Sequence, residues 1–146
     1  LLAFQKLAED AAISTAYDLA YALDKIYWAK FIDTMTPDPH ALAFVKKCAL
    51  LKVPTCIVTD MTAGIQIRKI LRLGIAPYIT NLVTSEEVGA EKPDGRMFKK
   101  AAGKLGVGIE NCLMLGDSFE KDVLGARAVG MIAHQIILSE EKNIFD

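Results

Sequence analysis

Apolar residues in the first 35 positions recur at steps of three and four, through Ala16, Leu19, Ala20, Leu23, Ile26, Tyr27 and Phe31. That is the spacing of one helix face, so residues 1–35 are predicted to be helical, with no strand among them. Thr36-Pro37-Asp38-Pro39 breaks the pattern. Asp38 is a good N-cap and Pro39 suits the first helical position, so a second helix is expected from there to about Lys52, ended by Pro54. Thr55–Thr59 is a short, continuously apolar run, the signature of a buried strand. Helix and strand then alternate. A helix over Ala63–Leu73 stops at Gly74, and a strand lies near Leu82–Thr84. A helix follows Pro93-Asp94 and ends near Leu105-Gly106, before a strand at Cys112–Leu115. A helix over Phe119–Val129 is closed by Gly130, and a last strand covers Met131–Leu138. Such alternation with continuous apolar strands implies an α/β fold, a parallel sheet with helices on both faces. The boundary falls near residue 36, between a helical layer over 1–35 and a core over 36–146.

Open parallel sheets bind ligands at the carboxyl ends of their strands, which directs attention to three loops. The first begins Thr59-Asp60. The second runs from Thr84 to Lys92-Pro93. The third is Gly116-Asp117-Ser118-Phe119-Glu120-Lys121-Asp122. Asp117 or Ser118 is explained as a helix N-cap, but Asp122 is not. On a helical wheel it lies among Phe119, Val123, Ala126 and Val129, where an unpaired carboxylate is costly to bury. Two acids converging at the mouth of a sheet suit a hard divalent cation such as Mg²⁺. Singly, Lys92 reads as a solvated loop lysine and Thr59 as an ordinary strand residue. Together, a hydroxyl, a cation and an acid pair suit phosphoryl transfer, where catalysis is mostly positioning and charge neutralisation.

Bulk composition narrows the field. Apolar residues make up 52% of the 146, enough for a real core, and 17 basic against 18 acidic side chains leave a net charge of −1. That balance gives no reason to expect a nucleic-acid or anionic-membrane partner. The apolar runs are too short to cross a bilayer, and no leader pattern is present. Cys48, Cys56 and Cys112 are widely spaced and form no CxxC pair; with isolated His40 and His134 they argue against zinc and for a reduced cytoplasmic protein. The stripe Tyr17, Tyr21, Tyr27, Trp28 and Phe31 is read first as the helical layer's own hydrophobic core, with the cap side of a pocket as the alternative.

The order strand-Thr59, then Lys92-Pro93-Asp94 with Phe98, then GDSFEKDVLGA from Gly116 resembles the last three signature motifs of the haloacid dehalogenase (HAD) superfamily. About half of the chain is similar to its helical-cap phosphatases. The resemblance implies a Rossmann-like core with a partial helical cap over 1–35. It implies a Mg²⁺-dependent phosphohydrolase acting on a small phosphorylated metabolite. In that family the hydroxyl of Thr59 would bond a phosphoryl oxygen and Lys92 would neutralise charge on nucleophile and phosphate. Asp117 and Asp122 would hold Mg²⁺, directly or through water. Ser118 and the backbone amides at Thr59-Asp60 would add hydrogen bonds, although Asp60 replaces the asparagine common at that position.

The family's first motif, an Asp-x-Asp pair ending a central strand, supplies nucleophile and general acid–base. No such pair follows a strand here: Asp33 and Asp38 flank a Pro-containing turn, and Asp10, Asp18 and Asp24 sit in helical pattern. By the resemblance the absent strand belongs between Thr55–Thr59 and Cys112–Leu115. The chain opens at Leu1 without Met, within helical pattern, so a preceding segment is the expected source of that strand. A second chain is another source, and a truncated product with a rearranged sheet a third possibility. The remaining alternatives are a non-catalytic binding protein, a 2-haloacid dehalogenase, whose chemistry needs no metal, and a receiver-type signalling domain, in which the acids precede the threonine and lysine.

Overall fold

The structure, a computed structural model, describes residues 2–12 and 16–137. Leu1, residues 13–15 of the first expected helix and the final strand's Leu138 lie outside the described residues. The chain begins with α1 (Leu2–Asp10) and α2 (Ala16–Thr34), which pack against each other. The single helix expected over 1–35 is therefore two. The first ends in a turn at Ala11-Ala12, where Ala12 takes a left-handed φ of 52°. Neither alanine is a helix breaker, so the apolar spacing ran on without marking the turn.

Helix α3 (Pro39–Leu50) starts as expected. Asp38 Oδ1 accepts from the backbone N–H of Ala41 at 2.8 Å, and Pro39 occupies the first turn. It ends before Lys52, which adopts φ 57°; Val53 then precedes Pro54, a position disfavoured for helix. Strand β1 (Cys56–Thr59) leads to α4 (Ala63–Arg72), whose first N–H is capped from another loop, Ala63 donating to Glu86 Oε2 at 2.8 Å. A 3₁₀ turn (Ala76–Tyr78), β2 (Asn81–Thr84) and the single-turn α5 (Ser85–Val88) follow. Helix α6 (Gly95–Leu105) is capped by Asp94, and Gly106, at φ 69°, turns the chain out of it. A second 3₁₀ turn (Ile109–Asn111) leads to β3 (Leu113–Gly116). A π-helical turn (Phe119–Leu124) then runs into α7 (Gly125–Ala128), followed by β4 (Ile132–Gln135).

All pairings are parallel, as the alternation implied. Cys56, Ile57, Val58 and Thr59 stand opposite Asn81 to Thr84, and Leu113 to Gly116 opposite Ile132 to Gln135. Among the described residues the strands nonetheless form two sheets, β1-β2 and β3-β4, rather than one continuous sheet. Among the described residues β1 and β3 each use one edge only. The two sheets share one core through α6. Met97, Phe98, Ala101 and Ala102 cluster with Val83 of β2, Cys112, Val123, Ala126, Met131 and Ala133 of β4. With no second layer on every face, Leu113 stays 53% exposed.

The aromatic stripe is not the sealed core expected of it. Phe4, Tyr27, Trp28 and Phe31 do meet, with ring centroids 5.2–5.9 Å apart. Yet Tyr17, Tyr21, Tyr27 and Phe31 are exposed, Tyr17 to 72%. The small residues Ala8 and Ala20, with Ile32, are what α1 and α2 bury, because two short helices enclose too little volume for large rings.

Candidate active site

Three loops leave the carboxyl ends of β1, β2 and β3, and a hydrogen-bonded ring ties them together. Asp60, following β1, accepts from the backbone N–H of Lys92 through Oδ1 at 2.8 Å and from Lys121 Nζ through Oδ2 at 3.1 Å. Lys92 Nζ donates to Asp122 Oδ1 at 2.6 Å, and the N–H of Ser118 donates to Asp122 Oδ2 at 3.1 Å. Ser118 Oγ in turn accepts from the N–H of Lys121 at 3.2 Å, capping the π-helical turn. The ring thus spans the gap between the two sheets at the end where ligands bind α/β folds.

Asp122 is 2% exposed, the buried acid its position on the apolar stripe implied. It is tolerated because both oxygens are occupied and a cation faces it; removing one partner of such a pair costs about 3–5 kcal/mol. Lys92 is correspondingly not a solvated loop lysine, its side chain being only 13% exposed. Gly116 makes the arrangement possible. A Cβ there would lie 2.3 Å from Asp122 Oδ2 and 2.4 Å from its Cγ, so only a residue without a side chain leaves room for the carboxylate.

Thr59 is aimed from behind. Gln66, in the second turn of α4, donates from Nε2 to Thr59 Oγ1 at 2.6 Å. With that lone pair taken by a donor, the threonine's own O–H is left to donate elsewhere. Asp117 directly follows β3. Its carbonyl accepts from Gln135 Nε2 at 2.9 Å, while its carboxylate is exposed and has no protein partner among the described residues.

Of the residues singled out in the sequence, Asp60, Lys92, Ser118 and Asp122 are joined directly, and Asp117 adjoins them through Ser118. Thr59 precedes Asp60 and bonds to Gln66 instead. The Asp60 carboxylate bonds Lys92 and Lys121, so the part of Thr59-Asp60 expected to meet a ligand, the backbone amides, is held in place by the ring. Among the described residues no three acids, histidines or cysteines converge as a ready-made metal cage. The donor set still fits Mg²⁺, which takes one or two carboxylates and keeps several waters. Asp117 offers free hard oxygens; Asp122, held by Lys92 and Ser118, would act at one remove. Sequence reasoning missed Gln66, Lys121 and the steric role of Gly116. A signal existed for Gln66, a polar residue in the turns of a helix that abut the preceding strand. None existed for the cross-loop reach of Lys121, whose pKa Asp60 raises by hydrogen bonding and charge.

Residues 2–130 match the family model for haloacid dehalogenase-like hydrolases. The ribulose-1,5-bisphosphate 5-phosphatase of Halopiger xanaduensis is 35% identical over 85% of this chain and 52% of its own length. The glyceraldehyde 3-phosphate phosphatase of Methanocaldococcus jannaschii is 30% identical over 77% of this chain and 49% of its own. The crystal structure of a HAD phosphatase from Thermococcus onnurineus superposes with a TM-score of 0.67 at 28% identity, covering 74% of this chain and 50% of that one. The chain therefore spans about half the length of the curated relatives it matches. With the fold, the three loops and the family model in agreement, the chain belongs to the haloacid dehalogenase-like hydrolases.

Proposed function

We propose that this chain carries the phosphate- and Mg²⁺-binding part of a phosphohydrolase for small phosphorylated metabolites. The observation that carries the reading is the buried Lys92–Asp122 pair, bridged by Asp60 and Ser118 at the mouths of β1 and β3. The ring brings a cation and acids into one crevice and holds them there without a substrate to organise them. Such preorganised charge is what phosphoryl transfer requires. The substrates named for the similar enzymes, among them ribulose 1,5-bisphosphate, glyceraldehyde 3-phosphate and phosphoserine, support the substrate class.

In this reading Thr59, fixed by Gln66, donates its hydroxyl proton in a hydrogen bond to a phosphoryl oxygen. Lys92 faces the negative charge of the phosphate and is itself oriented by Asp122. Ser118 and the turn it caps fix the direction of Asp122. Mg²⁺, held by Asp117 and at one remove by Asp122, would supply charge neutralisation to the phosphoryl oxygens when bound. The attacking carboxylate and general acid–base are assigned to a strand added between β1 and β3, from an N-terminal segment or a second chain. Their unpaired edges are templates for such pairing. Helices α1 and α2 form part of a cap over the crevice. The free thiols Cys48, Cys56 and Cys112 suit a reducing cytoplasm, and burial pushes the Cys56 thiol up to about 11, far from a reactive thiolate. Among the described residues no helix is long and apolar enough to cross a membrane.

The test is hydrolysis of p-nitrophenyl phosphate by the full-length protein, with and without Mg²⁺. Asp117→Asn is expected to abolish the Mg²⁺-dependent rate while leaving the unfolding midpoint near wild type, since the carboxylate has no structural partner. Unchanged turnover in Asp117→Asn would sink the metal assignment. The interrupted sheet favours one second reading, a phosphate-binding protein without turnover, which the same assay separates: binding of vanadate with no hydrolysis at any Mg²⁺ concentration.

A further inference from the structure

The joint between α2 and α4 holds a cation that the protein leaves short of partners. Lys69 lies one turn beyond Gln66 on α4, on the same side of the helix. Its Nζ is 5.3 Å from the ring centroid of Trp28 and 5.5 Å from that of Phe31, both on α2. The only hydrogen-bond partner of this ammonium among the described residues is Met61 Sδ, at 3.5 Å. An ammonium has three donors, a thioether is a weak acceptor, and an aromatic face attracts the charge without taking up a conventional hydrogen bond. No carboxylate pairs with Lys69 among the described residues, unlike Lys92, Lys100, Lys104 and Lys121. Arg72, one turn on, donates from Nη2 to the Asp33 carbonyl at 2.6 Å, closing the end of α2.

The cation–π contact with Trp28 and Phe31 uses the charge of Lys69 but leaves its N–H donors without conventional acceptors. Methionine or leucine would bury as much apolar surface against Trp28 and Phe31 without a desolvation cost. Here the cost is visible, since partial burial pulls Lys69 below the usual lysine range, and an anion beside it would reverse that. The position also matters. Met61 lies two residues beyond Thr59, at most about 7 Å of backbone, so the ammonium touches the segment that continues from the phosphoryl site.

We propose that Lys69, walled by Trp28 and Phe31, is a subsite for a second anionic group of the substrate, whose phosphoryl group sits at Thr59 and Lys92. The proposal rests on the phosphohydrolase reading for the second half of that statement. The shared chemistry is an oxyanion, supplied either by a carboxylate or by a second phosphate. The substrate class is then a short phosphomonoester charged at both ends.

The experiment compares three ligands on the full-length protein: glycerol 3-phosphate, which has no second anion, 3-phosphoglycerate, with a carboxylate, and 1,3-propanediol bisphosphate. Trp28 is the one tryptophan of these 146 residues and stands beside Lys69, so the part of the emission change lost in Trp28→Phe reports binding there, with calorimetry as a second readout. Wild type is expected to bind at least one doubly charged ligand about tenfold tighter or more than glycerol 3-phosphate, the least that a charge-assisted hydrogen bond contributes. The preferred ligand tells carboxylate from phosphate. Lys69→Met should lose the preference while binding glycerol 3-phosphate as before, and Lys69→Arg should retain it. A wild type without preference, including one that binds none of the three, overturns the proposal, as does a Lys69→Met variant that keeps it. Lys92→Ala separates the two readings: if it leaves all three affinities unchanged, the phosphoryl site is misassigned, whatever Lys69 does.

Discussion

Asp122 shows how much of the site depends on a side chain that is absent. Its carboxylate occupies the space a Cβ on Gly116 would need, 2.3 Å from Oδ2, and it cannot swing aside without breaking its bonds to Lys92 and Ser118. Gly116→Ala must therefore displace either β3 or the acid. Overpacking of this kind costs about 1–3 kcal/mol, read as a lower urea midpoint at unchanged slope, and it should weaken vanadate binding in parallel. A variant that unfolds at the wild-type midpoint and binds vanadate normally would mean that the pocket has slack the distances deny. The burial of Asp122 was legible in the sequence because an acid stood on an apolar stripe. Its partner was not, since Lys92 is 30 residues away and only folding brings the two loops together. The same holds for Asp60, whose neighbours in sequence say nothing of Lys121, 61 residues on.

At the scale of elements, the starts of helices were readable wherever the capping chemistry is local. Asp38 caps α3 and Asp94 caps α6, each within three residues of the N–H it binds. The start of α4 at Ala63 was readable from the apolar spacing alone, while its cap, Glu86 of α5, was not, being 23 residues away in sequence. The turn at Ala12 and the π-helical turn at Phe119–Leu124 left no local mark. The cap on α6 yields a prediction with a definite sign. Asp94 is lowered from 3.8 to about 2, first by the side-chain hydrogen bonds from Arg96 and then by its backbone N–H. A carboxyl depressed in the folded state contributes stability above its unfolded pKa and loses it as pH falls through the folded value. The contribution of Asp94 is thus complete above about pH 5 and is lost progressively as pH falls through about 2. Unfolding midpoints of wild type and Asp94→Ala should therefore differ at pH 6 and converge at pH 2. A gap that persists at pH 2 would mean that the ionised cap is not what holds the start of α6.

For the whole molecule, the decisive feature is one core serving two separate sheets. Helix α6 lays Met97, Phe98, Ala101 and Ala102 across elements of both, so side-chain packing unites what backbone hydrogen bonds do not. The alternation of apolar runs made the parallel α/β fold legible. It could not show the break, because a strand's apolar run is the same whether one edge is paired or two. Register within each pair is that of a parallel ladder, Val58 opposite Val83 and Leu115 opposite His134, and among the described residues no such ladder crosses the gap. If a further strand completes the site, β1 and β3 in residues 1–146 alone should have asymmetric amides. Those facing β2 or β4 would exchange slowly, with the core of α6. Those on the open edges would exchange about fivefold faster or more, lacking the roughly 1 kcal/mol that a ladder hydrogen bond contributes. Hydrogen exchange read residue by residue by NMR measures this directly. Uniform protection along both strands would mean that each is already paired on both edges, and the assignment of the attacking carboxylate to an added strand would fall with it.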